Sequence, residues 1–282
     1  MRTRAVIDAD RMSADKHATP AAMKSGHGKV VTRIGLLGAG NIARIIAKHQ
    51  DGFRITGVFD RHRDRREAIA GDTGGVAYEN LEQFLTGDFD VVAEAASVQA
   101  VQTCGEQILT QGKDLVVLSV GAFAEQAFFR RLSRLAEEGG RTIHIPSGAV
   151  FGLDNLKIGH ISPLDHVTLR TTKPPASLKL ETTERTCLFQ GSAAECITRY
   201  PRNINVAVAL GLAAEREVNV ELWVDPAATH NIHEISIAGK FGEAQITVHN
   251  VPCPDNPSTS YLAALSIVTL LKRLKQPVII GT

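Results

Sequence analysis

The segment Gly38-Ala39-Gly40-Asn41-Ile42-Ala43 constrains this chain more than any other. It follows directly on the apolar run Arg33-Ile34-Gly35-Leu36-Leu37, and Asp60 closes the next apolar run, Arg54-Ile55-Thr56-Gly57-Val58-Phe59, 20 positions beyond Gly40. Gly38 lets the chain turn sharply out of a strand, Gly40 leaves bare backbone for a pyrophosphate to approach, and the small Ala43 lets the next helix lie close to the sheet. Glycine turns are common, so the weight rests on the agreement of strand, turn, the helical run Ile42, Ile45, Ile46 and the distal acid. Together they describe a βαβ unit that binds a dinucleotide, with its phosphates on the amide end of a helix beginning near Asn41. Gly38, Gly40, Asn41, Ile42 and Asp60 are the expected contacts. Asp60 accepts hydrogen bonds from a ribose and favours NAD, while Arg61 and Arg63 are available to the 2′-phosphate of NADP.

From Arg33 to Ile145 strand-like and helix-like runs alternate, as in a parallel sheet covered on both faces. Strands are expected at Ile34–Leu37, Ile55–Phe59, Val91–Glu94, Leu115–Leu118 and Thr142–Ile145, with a weaker one at Val76–Tyr78. The clearest helices are Val98–Leu109 and Glu125–Glu138, the latter stopped by Gly139-Gly140. Beyond Pro146-Ser147-Gly148-Ala149 the period changes to two, giving strands at Val167–Thr171, Thr186–Phe189, Val218–Val224, Glu234–Ala238 and Ala244–Val248. Helical stretches at Ala193–Arg199 and Asn205–Ala214 interrupt them. The fold class is therefore α/β: a Rossmann-type doubly wound parallel sheet followed by an α+β domain with a mainly antiparallel sheet. The expected division is an extension at 1–30, a dinucleotide-binding domain at 31–146, a substrate and catalytic domain at 147–255, and a C-terminal helix at 256–282. That helix, capped by Ser258 and striped by Leu262, Leu265, Val268 and Leu271, is expected along the interdomain seam.

A chain of 282 residues with net charge +1 carries no electrostatic footprint for nucleic acid or an anionic membrane. No apolar stretch approaches the ~18 residues of a membrane span, and the first residues lack the apolar core of a signal peptide. Cys104, Cys187, Cys196 and Cys253 are scattered without metal-ligand spacing, as expected of reduced thiols in a cytoplasmic enzyme.

In open α/β sheets ligands bind beyond the carboxyl ends of the strands. Ala95-Ala96-Ser97, Ser119-Val120-Gly121-Ala122 and Ser147-Gly148-Ala149 fall at such ends, and their small side chains permit a nicotinamide ring to approach the backbone; they are also good turn formers. Ala96 and Ser97 are expected at the cofactor. In the second half, His230 and His233 stand where a loop enters a strand, as a group that gives or takes a proton near neutral pH or as a hydrogen-bonded structural residue. No metal is expected, because Pro226 and the strand pattern oppose the helix that would turn both rings to one side.

Read together with those segments, Lys173-Pro174-Pro175, Phe189-Gln190-Gly191-Ser192-Ala193, Tyr200-Pro201-Arg202-Asn203-Ile204-Asn205-Val206-Ala207, Asp225-Pro226, Asn231-Ile232-His233-Glu234-Ile235 and Asn256-Pro257-Ser258-Thr259-Ser260 resemble the L-aspartate dehydrogenase family, in the family's order, from about Thr32 onward. The resemblance implies NAD(P)-dependent oxidation of L-aspartate to iminoaspartate, which hydrolyses to oxaloacetate and ammonia or feeds quinolinate and hence NAD synthesis. It implies that His233 is catalytic and that Ala149 and Asn205 contact the cofactor. Two substrate carboxylates need donors, for which Lys173 and Asn203 are the candidates, although Lys173 before two prolines also reads as a solvated loop charge. A homo-oligomer, specifically a dimer, is expected. In the family another residue often stands at the place of His230. The rival readings are a two-domain sugar or polyol oxidoreductase, which would carry Glu-Lys-Pro where this chain has Ser119-Val120-Gly121, and a non-catalytic protein that senses nicotinamide nucleotides.

Overall fold

The computed structural model describes residues 31–200, 205–253 and 256–281. The expected extension at 1–30, Asn203 and the side chain of Ser258 lie outside the described residues.

The first half alternates β1 (Thr32–Leu37), α1 (Asn41–Ala47), β2 (Phe53–Phe59), α2 (Arg63–Thr73), β3 (Val76–Tyr78), α3 (Leu81–Leu85), β4 (Val91–Glu94), α4 (Val98–Thr110), β5 (Asp114–Val117), α5 (Gln126–Gly139) and β6 (Ile143–His144). The strands form one parallel sheet in the order β3-β2-β1-β4-β5-β6. Near-continuous apolar strands such as Val91-Val92-Ala93, buried throughout, suit a sheet covered on both faces. One face packs against Ala43, Ile45 and Ile46 of α1 and Ile69 of α2. The other packs against Val101 and Ile108 of α4 and Phe128 and Leu132 of α5. Helix α5 stops where Gly140 takes a left-handed conformation, φ 60°. The chain reverses direction across the sheet between β1 and β4, which opens a crevice at their carboxyl ends.

The second half contributes α6 (Leu153–Leu156), β7 (Leu164–Lys173), α7 (Pro175–Leu178), β8 (Thr186–Ser192), α8 (Ala193–Arg199), α9 (Asn205–Ala214), β9 (Asn219–Val224), β10 (Asn231–Gly239) and β11 (Gly242–Asn250). Its sheet runs β11-β10-β7-β9-β8; only β7 and β9 pair in parallel, so it is mainly antiparallel, as expected. The inward face carries Val167, Leu169, Val220, Leu222, Ile235 and Ile237 into a second core. Helix α8 is held at its start by a capping box between Ser192 and Glu195. The chain ends with β12 (Pro252–Cys253), β13 (Asn256–Ser260) and α10 (Tyr261–Arg273).

Two expectations give way here. The last helix begins at Tyr261 rather than behind a cap at Ser258, because 256–260 pair as a strand with β12. Its buried stripe is Ala264, Ile267, Val268 and Leu271, which joins α1 and β2 in the core of the first sheet. Ser266 of the same helix accepts the Gly148 N–H at 3.0 Å, at the entry to the second half, and α9 lies at this seam as well. Val208 and Ala209 enter the core of the first sheet, while Ala207, Leu210 and Ala214 enter that of the second. A helix that is apolar all round is stable only when buried on more than one side, and Val206-Ala207-Val208-Ala209-Leu210 meets that demand between two sheets. Among the described residues no helix is long and apolar enough to cross a membrane.

Candidate active site

The glycine-rich turn behaves as its spacing predicts. Gly38 has φ +103°, and a Cβ there would lie 2.7 Å from the carbonyl oxygen of Ala95, so both conformation and crowding demand glycine. A Cβ on Gly40 would meet no atom within 4 Å, leaving the space over the turn open. Ala43 is fully buried beneath it. Asp60, just past β2, accepts the Ala39 N–H at 2.8 Å on one oxygen and the His62 N–H at 2.7 Å on the other. The acid therefore braces the turn as well as facing the crevice.

Gly38, Gly40, Asp60, Ala96 and Ser97 together line a cavity of about 380 Å³. Asn41 lines an adjoining hollow of about 300 Å³ with Ala39, Gly40, Arg44 and Arg65. Ile42 packs against the core of the first sheet. Of the arginines after Asp60, Arg61 lines the larger of these cavities, but Arg63 is turned to Glu67 at 2.7 Å on the surface. Arg65, which pattern reading passed over, borders both spaces. A positive-φ glycine, open backbone over the turn, an acid at the end of β2 and flanking arginines fit a pyridine dinucleotide.

Glu94 is a second residue the sequence did not announce. Fully buried at the end of β4, it accepts the Ala96 N–H at 2.8 Å, the Leu118 N–H at 3.1 Å, the Ser119 N–H at 2.9 Å and the Ser119 hydroxyl at 2.8 Å. Burial pushes its pKa up against the pull of these bonds. One side chain thus ties the loops after β4 and β5 to each other. Nothing in the string distinguishes it from an ordinary acid at a strand end.

Among the described residues, side-chain hydrogen bonds from α9 and β11 reach the loops beyond the carboxyl ends of the first sheet. Asn205, at the start of α9, accepts the Gly121 N–H on its side-chain oxygen at 2.8 Å. Asn250, at the end of β11, donates from its amide to the Ala149 carbonyl at 3.1 Å. Both expected cofactor contacts, Ala149 and Asn205, are therefore fixed where the two sheets join.

Strand register places His233. It sits opposite Thr171 of β7 and Val248 of β11, and Asn231, two residues earlier, sits opposite Asn250. Residues two apart on a strand share a face, so Asn231, His233, Thr171, Lys173 and Asn250 form the polar end of an otherwise apolar inward face. The His233 ring is buried, with Nδ1 3.0 Å from the Thr171 hydroxyl oxygen. Burial, and secondarily Lys173, lower its pKa to about 4, so the ring is neutral at pH 7. Lys173 is half-buried, burial alone lowers its pKa, and no carboxylate among the described residues pairs with it. The side-chain oxygen of Asn231 is likewise buried without a partner among the described residues. A neutral base, an uncompensated cation and an unfilled acceptor side by side call for a small polar molecule that carries both an anion and a donor. His230 lies outside the strand, its ring bonded to the neighbouring Thr229 hydroxyl. A larger cleft, about 840 Å³, runs between α9, α10 and the loop after β6, and neither the glycine-rich turn nor His233 lines it.

A dinucleotide crevice joined to a second sheet that presents a buried neutral histidine defines a two-domain, pyridine-nucleotide-dependent dehydrogenase. A family model described as aspartate dehydrogenase, C-terminal, matches residues 154–274, and one described as homoserine dehydrogenase, NAD binding domain, matches residues 34–146. The L-aspartate dehydrogenase of Methanospirillum hungatei is 53% identical over 252 residues, 89% of this chain and 100% of that protein. That of Methanothermobacter thermautotrophicus is 40% identical over 90% of this chain and 100% of that protein. The chain belongs to the L-aspartate dehydrogenase family. The crystal structure of the aspartate dehydrogenase of Thermotoga maritima superposes with a TM-score of 0.75 at 30% identity, covering 89% of this chain and 99% of that one. A putative myo-inositol dehydrogenase from Sinorhizobium meliloti, 14% identical with a TM-score of 0.52 over 87% of each chain, shares the fold alone.

Proposed function

We propose that this chain catalyses the NAD(P)-dependent oxidation of L-aspartate to iminoaspartate, which hydrolyses to oxaloacetate and ammonia, and the reverse reductive amination. Iminoaspartate made this way is available for pyridine nucleotide synthesis. The family supports the reaction, and one observation carries its assignment to residues: neutral, buried His233 beside Lys173, a half-buried cation without a carboxylate partner among the described residues.

In this reading Gly38, Gly40, Asn41, Ile42, Asp60, Ala96, Ser97, Ala149 and Asn205 hold the cofactor. Held there, a nicotinamide would supply the acceptor for the Cα hydrogen of the substrate, which leaves as hydride. The nitrogen lone pair becomes the second bond of C=N, and the proton the nitrogen sheds passes to Nε2 of His233. In the reductive direction the same atom returns it. Lys173 receives a substrate carboxylate, with Asn203 as a second donor. Arg61 and Arg65 accommodate the 2′-phosphate of NADP beside Asp60, so both cofactors serve. Residues 31–146 act as the nucleotide domain, 147–255 as the substrate domain, and 256–282 return to the first. The working form is a cytoplasmic homodimer, for which the face of the five-stranded sheet that no element among the described residues covers offers a surface.

The test is turnover of the purified protein, followed by the absorbance of reduced nicotinamide. Aspartate should exceed alanine in kcat/KM by roughly 10–100-fold, the scale of one hydrogen bond to a charged group, and oxaloacetate with ammonia should be reduced. Equal rates with alanine would overturn the substrate assignment.

A further inference from the structure

We propose that Thr171 is a positioning residue for the reaction, setting which nitrogen of His233 carries the proton. The inference rests on His233 being the acid–base group. A neutral imidazole has one N–H, and the proton on Nδ1 leaves Nε2 free to accept, whereas the proton on Nε2 makes that atom a donor. The choice is made at Nδ1, whose hydrogen-bond partner is the Thr171 hydroxyl at 3.0 Å.

Three features fit a hydroxyl to this task. Thr171 and His233 are directly opposed in the β7–β10 ladder, so the backbone fixes their separation. Both are buried, which keeps water from replacing the contact. A hydroxyl oxygen accepts from Nδ1–H without bringing a charge into the pocket. When Oγ1 accepts from Nδ1–H, Nε2 is bare and ready for the amine proton of the oxidative direction. Protonation of Nε2 gives the imidazolium, whose Nδ1–H stays on Oγ1, and that Nε2–H is the proton returned in the reductive direction. A carboxylate would hold the same tautomer, as the aspartate of a serine protease triad does, but its charge would also favour the imidazolium and raise the pKa of the ring. The β-branched side chain restricts χ1, so the oxygen stays aimed at the ring.

Thr171→Val keeps shape and strand preference and removes the hydroxyl; Thr171→Ser restores the oxygen without the methyl. The full-length enzyme is assayed in both directions across pH, and the imidazole nitrogens of His233 are observed by ¹⁵N NMR. For Thr171→Val we expect kcat to fall at least about tenfold with the KM for aspartate little changed, a shifted pH profile, and altered His233 nitrogen shifts; Thr171→Ser should recover most of each. Wild-type kcat, pH profile and nitrogen shifts in Thr171→Val, with His233→Ala inactive, would overturn the role of Thr171 and leave His233 as the base. Near-normal turnover in His233→Ala would instead overturn the acid–base assignment, and the inference with it.

Discussion

His233 ties the stability of the fold to the chemistry proposed for it. Burial beside Lys173 holds the ring near pKa about 4, against an ordinary 6.5. Between those values the unfolded chain binds a proton that the folded chain refuses, so stability rises with pH across this window. The contribution is complete above pH 6.5 and is lost as pH falls through the window to about 4. A gap of 2.5 units (6.5 − 4), at about 1.36 kcal/mol per unit, amounts to roughly 3 kcal/mol, a sizeable part of the 5–15 kcal/mol typical of a folded protein. The perturbation is His233→Gln, and the assay is urea unfolding of both proteins at pH 7 and pH 4.5. Carboxylates titrating in the same range do so in both and cancel in the difference. From pH 7 to 4.5 the wild type should lose about 2–3 kcal/mol more than the variant. Equal losses would refute the claim that the ring is buried and neutral. Aspartate adds a second signature: its carboxylates offset Lys173 and favour the imidazolium, so the acid limb of kcat should lie at higher pH than that of kcat/KM.

Two further substitutions separate the binding roles. Lys173→Met should reduce kcat/KM for aspartate by roughly 10–100-fold, with cofactor KM unchanged and the acid limb of kcat/KM moved to higher pH, since the variant lacks a charge that depresses His233; an unaltered KM for aspartate would place the substrate carboxylate elsewhere. Asp60→Ala removes the acceptor of the Ala39 and His62 amides, so KM should rise for both cofactors and more for NAD, whereas Arg65→Ala should raise it for NADP alone; equal effects of Arg65→Ala on NAD and NADP would deny it the 2′-phosphate.

What the string made legible was local. The nucleotide turn declares itself because strand, glycines, helix and acid lie within about thirty residues and each has a separate steric reason. The six parallel strands follow from apolar runs that need covering on both faces. Asn256-Pro257-Ser258 imitates a helix start, but the pairing of 256–260 with β12 prevails over that local preference. The same limit explains the seam. An apolar stripe shows that a helix is buried, not against what, so the place of α9 between the two sheets was not legible.

The chemistry was half legible for a related reason. By position alone His230 and His233 look alike in the string; the family resemblance singles out His233, and register shows why, since inside the ladder its ring is buried against Thr171 while His230, one step outside it, bonds to its neighbour. Thr171 itself is 62 positions away, and Glu94 gains meaning only when two loops converge on it. Lys173 is the instructive case. As a residue before two prolines it reads as a solvated charge, yet its place on the inward face of β7 half-buries it without an anion among the described residues. A fold does not leave a cation in that position without cost, because desolvation is opposed only when an opposite charge arrives. The free protein thus holds an electrostatic deficit that a dicarboxylate removes, and the anion that removes it also lifts the depression of the neighbouring base. Binding and activation of His233 then share one interaction, so inert dicarboxylates of aspartate's length should raise the His233 pKa in an NMR titration, while monocarboxylates that fail to reach Lys173 should leave it near its resting value.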